Sequence, residues 1–132
     1  MILVDSSVWI DYFRGTIAPE TEILDSLLGR DLLLTGDLIL TEVLQGFESE
    51  REFVTARSIL TSFEVLTLGG KAIGIQAAKN FRQLRKKGIT IRKTIDTIIA
   101  TSCIERDLQL LYTDRDFDPF VEHFGLRSVD AI

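Results

Sequence analysis

The sequence predicts one α/β domain with a mainly parallel central sheet and helices on both of its faces. Three short apolar runs, over 2–4, 32–34 and 110–112, are continuous rather than alternating, as in strands buried on both faces. The segments between them carry apolar residues at helical spacing. Such strands and helices alternate along the 132 residues with no linker or repeat that would divide the chain.

Turn and cap residues delimit the elements of the first half. Gly15 and Gly29 suit helix ends, Pro19 suits the first turn of a helix, and Asp37 suits an N-cap. These signals predict strands over 1–5, 32–34 and 65–66, and helices over 7–14, 21–28, 38–47 and 51–62.

The second half begins with a chain break at Gly69 and Gly70, before a long helix that Gly88 ends. Thr94 is expected to cap the next helix. The expected elements are helices over 71–87 and 95–106, strands over 110–112 and 127–129, and a loop or short helix over 116–123.

Composition limits the class of protein. The chain is 45% hydrophobic and 27% charged, which is ordinary for a globular domain with its own core. No apolar run is long enough to span a bilayer, and the N-terminus lacks the pattern of a signal peptide. Cys103 is the only cysteine, so we expect no internal disulfide, a cytoplasmic location and no membrane partner.

Charge is distributed unevenly along the chain. The net charge is −5, yet no acid occurs between Glu64 and Asp96. That stretch holds eight basic residues: Lys71, Lys79, Arg82, Arg85, Lys86, Lys87, Arg92 and Lys93. The remainder of the chain therefore carries −13. A basic segment of this kind is either a solvated helix face or a surface for a phosphate-bearing substrate.

Asp5 ends the first buried strand. The carboxyl ends of parallel strands form the edge of the sheet where ligands bind, so Asp5 is expected at the mouth of a site. Asp5 itself has the right chemistry to cap the following helix. Ser6 or Ser7 can do the same, which would leave Asp5 for a ligand.

Two further acids lie on apolar helix faces. Asp96 has Ile99, Ala100 and Cys103 at three, four and seven residues onward, so a solvated acid is not expected there. A helix-start acid that complements the helix dipole is the alternative. Glu42 lies in an apolar helix and needs a partner, for which a metal ion or a basic side chain would serve equally well.

Asp114 follows the strand over 110–112 and is expected at the same edge as Asp5. Asp116 is a weaker candidate, and Asp118, before Pro119, suits local turn structure. Carboxylates that converge without cysteine or histidine favour Mg²⁺ or Mn²⁺. One or two such ions would relieve the repulsion among them.

Four segments together resemble the PIN domain and, within it, the VapC-type toxins of toxin–antitoxin pairs. In chain order they are ILVDSSVWIDYFRG, ILTEVLQG, TIDTIIATSCIERD and LLYTDRDFDPF. The resemblance implies a single PIN-like domain over residues 1–132 and a metal-dependent endoribonuclease. A metal-activated water would cleave the RNA phosphodiester in line, leaving a 3′-hydroxyl and a 5′-phosphate.

The resemblance also implies the roles of particular residues. Asp5, Glu42, Asp96 and Asp114 form the catalytic quartet, and Ser6 supports it. The Mg²⁺ or Mn²⁺ ligands are expected among Asp5, Asp96, Asp114 and Asp116. The candidates for holding the RNA backbone are Arg82, Arg85, Lys86, Lys87, Arg92 and Lys93.

The expected partners are RNA, a cognate VapB-type antitoxin and a second copy of the chain, the last two by resemblance. Trp9, Tyr12 and Phe13 are expected in the core or in a groove that takes a partner helix. Two other functions remain open. A receiver-like Mg²⁺-binding signalling domain would use an acid such as Asp37 after a central strand, and a PIN-like module could serve only for interaction.

Overall fold

The computed structural model describes residues 1–129 and contains one parallel sheet surrounded by helices. In chain order the elements are β1 (Ile2–Val4), α1 (Ser6–Phe13), α2 (Pro19–Leu27), β2 (Leu33–Gly36), α3 (Asp37–Leu44), α4 (Glu50–Leu60), β3 (Glu64–Leu66), α5 (Lys71–Lys86), α6 (Thr94–Arg106), β4 (Gln109–Leu111), a 3-10 helix (Arg115–Phe117), α7 (Asp118–Phe124) and β5 (Arg127–Ser128). This alternation confirms the predicted α/β class.

β1 lies at the centre of the sheet. The strand order is β3-β2-β1-β4-β5, and every adjacent pair is parallel. All three residues of β1 are buried, and successive side chains of a strand point to opposite faces. Helices must therefore cover both faces of the sheet, which explains why the run over 2–4 is continuously apolar.

Two groups of helices form the outer layers. α1 contacts α2 and α3, and α3 contacts α4, while α5 packs along α6 and the 3-10 helix contacts both α6 and α7. Trp9 is fully buried and packs against Phe13 and Phe63. No helix within residues 1–129 has the length and apolar character to cross a membrane.

The strand order reverses between β1 and β4. From β1 the chain moves outward to β2 and β3, and it then returns to place β4 on the other side of β1. Ligands of open α/β sheets bind at such a switch point, outside the carboxyl ends of the strands. A receiver domain has the strand order 2-1-3-4-5, so the observed order excludes the receiver-like alternative.

The residue proposed for that alternative, Asp37, serves the fold. Its Oδ1 accepts hydrogen bonds from the backbone N–H of Leu38 (2.9 Å) and of Leu68 (3.0 Å). Asp37 thereby ties the start of α3 to the segment that follows β3.

Several predicted boundaries differ in detail. Lys93, not Thr94, is the N-cap of α6, and no side chain caps that helix end. Gly36, not Asp37, is the N-cap of α3, which ends at Leu44 rather than Phe47. The last three residues of the expected domain, 130–132, lie outside the described residues.

Candidate functional site

Asp5 both caps a helix and faces the site. Its Oδ2 accepts hydrogen bonds from the Ser7 backbone N–H (3.1 Å) and the Ser7 hydroxyl (2.5 Å), so Asp5 is the N-cap of α1. The expectation that Ser6 or Ser7 would cap this helix is wrong, because α1 already begins at Ser6. Asp5 is 2% exposed, and its Oδ1 has no hydrogen-bond partner among residues 1–129. Helix capping therefore uses Oδ2 of Asp5, and Oδ1 takes no part in it.

Asp96 lies in the first turn of α6 and is buried there. Ile99, Ala100 and Cys103, which share its helix face, are fully buried, as the predicted apolar stripe requires. Asp96 is 3% exposed, and within the described part of the chain its Oδ2 has no hydrogen-bond partner. The first turn of a helix favours a negative charge, but it does not satisfy this oxygen.

Asp114 and Asp116 follow β4. Oδ1 of Asp114 accepts the Asp116 backbone N–H at 3.0 Å and so caps the 3-10 helix, in the same way that Asp5 caps α1. One carboxylate oxygen from each of Asp96, Asp114 and Asp116 lies within 4.8 Å of the other two. These three residues form what we call the acidic cluster.

Hydrogen bonds connect the edge of β4 to α1. The Asp5 backbone N–H donates to the Leu111 carbonyl at 2.9 Å, which continues the pairing of β1 with β4. The Ser7 hydroxyl accepts the Thr113 backbone N–H at 3.3 Å while it donates to Asp5. Ser7 therefore joins the Asp5 carboxylate to the segment that carries Asp114.

Glu42 reaches the same region from α3. The Ser6 hydroxyl donates to Glu42 Oε1 at 3.0 Å, so Ser6 contacts the acid that it was expected to support. Glu42 is outside the acidic cluster, but its charge raises the pKa of both Asp5 and Asp96.

The buried acids resist ionisation. Burial is the main cause that raises the pKa of Asp5 from 3.8 to about 6, against the hydrogen bonds from Ser7, which lower it. Burial, followed by repulsion from Asp5, raises the pKa of Asp96 from 3.8 to about 7. Asp114 and Glu42 add to the repulsion at Asp96. The four acids predicted as a quartet are therefore electrostatically coupled.

The residues fit a divalent cation. Asp5 Oδ1 and Asp96 Oδ2 are buried oxygens that no group of the described residues satisfies, and the acidic cluster offers only carboxylate oxygens. Oxygens that share one hard cation lie at most about 4–5 Å apart, which the cluster satisfies. A cation would also offset the cost of ionising Asp5 and Asp96.

The predicted RNA-binding residues fall into two sets. Arg92 and Lys93 lie beside the acids: Arg92 pairs with Asp116 and Asp114, and the charge of Lys93 lowers the pKa of Asp96. The other four are exposed near the C-terminal end of α5, and none of them pairs with an acid within residues 1–129; they are Arg82, Arg85, Lys86 and Lys87. The Arg85 guanidinium lies 5.7 Å from the centre of the Phe81 ring.

The aromatic residues of α1 divide between core and surface. Trp9 is part of the core, whereas Tyr12 and Phe13 are half-buried. Phe13 lines a groove of about 320 Å³ together with Ile10, Arg14, Val43, Gly46, Phe47 and Glu52. The core expectation is therefore confirmed for Trp9, whereas the binding of a partner helix in the groove stays a prediction.

Sequence reasoning missed two contacts. It considered Ser7 only as a possible helix cap, although a serine two residues after a strand-end Asp is well placed to bond with it. It also treated Arg92 only as an RNA ligand and not as a partner of Asp116.

Comparison with known proteins gives a consistent family. The model of the PIN domain matches residues 2–121. Ribonuclease VapC11 of Mycobacterium tuberculosis is 29% identical over 131 residues, covering 97% of both chains. The crystal structure of M. tuberculosis VapC20, a toxin that cleaves the sarcin–ricin loop, aligns with a TM-score of 0.73 at 19% identity over 99% of this chain and 100% of that one. VapBC2 of Rickettsia felis, bound to promoter DNA, aligns with a TM-score of 0.73 at 17% identity over 98% of each chain. From its strand order, its acidic switch point and the match over 2–121, the chain belongs to the PIN-domain family.

Proposed function

We propose that the chain is a metal-dependent endoribonuclease and the toxin of a toxin–antitoxin pair, with residues 1–132 acting as one domain. One observation carries the activity: the carboxylates of Asp96, Asp114 and Asp116 converge within 4.8 Å at the switch point of the sheet, and burial raises the pKa of Asp96 and of the neighbouring Asp5, which favours a cation. The similarity to ribonuclease VapC11 over nearly the whole chain supports RNA as the substrate.

We assign metal binding and proton transfer to different acids of the site. Asp96, Asp114 and Asp116 would hold Mg²⁺ or Mn²⁺, with the unpartnered Oδ1 of Asp5 as a further ligand. When bound, the ion supplies an activated water and stabilises the leaving oxygen. Glu42, whose Oε1 accepts the Ser6 hydroxyl and which lies outside the cluster, would accept a proton from the attacking water. Ser7 fixes Asp5 relative to the segment that carries Asp114.

The basic residues would hold the RNA backbone. Arg82, Arg85, Lys86 and Lys87 lie near the end of α5, and the connection over 88–93 leads from them directly to α6 and Asp96. Arg92 and Lys93 complete a positive path to the acidic cluster. Such contacts attach to phosphates and carry little sequence information.

A cognate antitoxin would occupy the groove beside α1. The similar structure from R. felis is a VapBC assembly, and the groove lined by Phe13 and Phe47 offers the apolar surface that an amphipathic segment needs. We further propose that the chain forms homodimers, joins the antitoxin in a hetero-oligomer and acts in the cytoplasm, where RNA is available.

The test is cleavage of a total RNA pool by the wild type and Asp96→Asn in Mn²⁺, with EDTA as the metal-free arm. Asp25→Asn is the matched control, because Asp25 is an exposed acid on α2. Wild type and Asp25→Asn should cut equally, and Asp96→Asn should be at least about 100-fold slower. Equal rates for wild type and Asp96→Asn would show that the cleavage does not depend on this site, and the nuclease assignment would be wrong.

A further inference from the structure

Arg92 lies over the acidic cluster. Its Nε is 2.9 Å from Asp116 Oδ2, and its Nη2 is 3.8 Å from Asp114 Oδ1. Within residues 1–129, no other lysine or arginine forms an ion pair with a member of the cluster. A guanidinium therefore contacts two of the three carboxylates that are proposed to hold the metal ion.

The backbone of Arg92 is held on both sides, whereas its side chain is free to turn. The preceding residue, Ile91, is 4% exposed and packs in the core, and α6 begins two residues later at Thr94. The Arg92 side chain is 72% exposed. An exposed ion pair of this kind is weak, so the guanidinium can leave the carboxylates without disturbing the loop.

Arg92 and a divalent cation compete for the same oxygens. Asp116 Oδ2 accepts a hydrogen bond from the Arg92 Nε–H at 2.9 Å, and a cation at the cluster would also be repelled by the guanidinium charge. Metal uptake should therefore release Arg92. A released guanidinium remains tethered beside the cluster, where a phosphate offers two oxygens in the geometry that the guanidinium prefers.

We propose that Arg92 is a positioning residue that neutralises Asp114 and Asp116 before the metal binds, yields them to the divalent cation, and then holds a non-bridging oxygen of the RNA phosphate. This inference rests on the proposed function. Arg92 contacts the two acids first and the RNA phosphate second. Its side chain therefore weakens metal binding and strengthens RNA binding.

Opposite effects on two ligands distinguish this role from a structural one. Removing the Arg92 side chain should tighten Mn²⁺ binding and raise the KM for RNA. Damage to the fold would instead weaken both. Arg115→Ala is the matched control, because Arg115 is an exposed arginine between the same two acids that pairs with Asp118 at 3.4 Å instead of with the cluster.

The experiment measures Mn²⁺ affinity by calorimetry, and KM and kcat with a short RNA, for the full-length wild type, Arg92→Ala, Arg92→Lys and Arg115→Ala. For Arg92→Ala we expect Mn²⁺ to bind about 3-fold tighter, as for loss of an exposed competing pair. We expect its KM to rise about 10-fold, as for loss of one charged phosphate contact. Arg92→Lys should fall between wild type and Arg92→Ala, and Arg115→Ala should remain within about twofold of wild type.

Each other result overturns the inference. Mn²⁺ binding that is unchanged or weaker in Arg92→Ala would show that the guanidinium does not compete with the ion. A KM equal to that of wild type would show that Arg92 does not contact RNA. If the wild type binds Mn²⁺ and cuts RNA in either case, only the role of Arg92 fails, whereas a wild type that does neither overturns the proposed function as well.

Discussion

Asp5 and Asp114 each cap a helix in addition to their proposed role as metal ligands. Asp5 and Asp114 each cap the helix that follows their strand with one oxygen, and Asp5 retains a buried oxygen without a partner. The capping bonds fix the side-chain rotamers, so the remaining oxygens are held in place before any ligand binds. Capping and ligand binding were treated as alternatives for Asp5 at the level of sequence, but capping occupies only Oδ2 and is compatible with a ligand at Oδ1.

The buried acids make stability depend on pH in the absence of metal. The folded-state pKa of Asp96, about 7, lies above its ordinary value of 3.8, so the folded state binds this proton more tightly than the unfolded state. The stabilisation from this proton is complete at low pH and is lost as the pH rises from about 4 to about 7.

We therefore expect the Tm of the wild type in EDTA to fall by several degrees between about pH 5 and about pH 8. Asp96→Asn, which cannot ionise, should show a smaller fall, and Mn²⁺ should raise the wild-type Tm more at the higher pH. Thermal unfolding followed by circular dichroism measures all three. Parallel curves for wild type and Asp96→Asn in EDTA would contradict the account.

At the scale of elements, local signals predicted most of the fold. The continuous apolar run of β1 correctly predicted that this strand is buried. The glycines that follow α1 and α5 correctly predicted where these two helices end, to within a few residues. The N-cap of α6 was predicted wrongly. Lys93 is the N-cap through its extended backbone alone, and no side-chain hydrogen bond caps this end of the helix, so the sequence contains no signal for the boundary. The bond from Thr113 to Ser7 joins residues 106 apart, which no local pattern contains.

The junction of β2 and α3 provides a test of packing. A Cβ on Gly36 would overlap Leu68 Cδ1 and lie 2.6 Å from Leu68 Cγ. Leu68 is fully buried, and its backbone N–H is bonded to Asp37. Gly36→Ala should therefore lower the free energy of unfolding by about 2 kcal/mol. Urea denaturation measures the effect.

The matched substitution is Gly74→Ala in α5. A Cβ on Gly74 meets no atom within 4 Å, so alanine should stabilise this helix by up to about 1 kcal/mol. The two glycine variants should thus change the free energy of unfolding in opposite directions. A Gly36→Ala protein as stable as wild type would show that Leu68 does not fill the space beside β2.

For the whole molecule, the uneven distribution of charge along the chain brings part of the basic stretch beside the acidic cluster. The chain has a net charge of −5, but the acid-free stretch between Glu64 and Asp96 supplies α5 and the connection to α6. The basic end of α5 is thereby attached directly to the helix that carries Asp96. The sequence pattern alone did not decide whether this basic segment is a solvated helix face or a phosphate-binding surface.

Salt dependence distinguishes those two interpretations. With RNA binding measured in EDTA, where no cleavage is expected, Lys86→Ala/Lys87→Ala should reduce the slope of log affinity against log salt by about 1 to 1.5. Lys71→Ala, at the other end of α5, should leave the slope close to that of wild type. A comparable change in the Lys71 variant would mean that RNA does not follow the end of α5 nearest the acids.

Anomalous diffraction from crystals grown with Mn²⁺ tests the central claim most directly. The account predicts an anomalous peak about 2.1 Å from carboxylate oxygens of Asp96, Asp114 and Asp116, with the Arg92 guanidinium turned away from Asp116. A fully loaded crystal with no peak there, or with manganese bound only elsewhere, would contradict it.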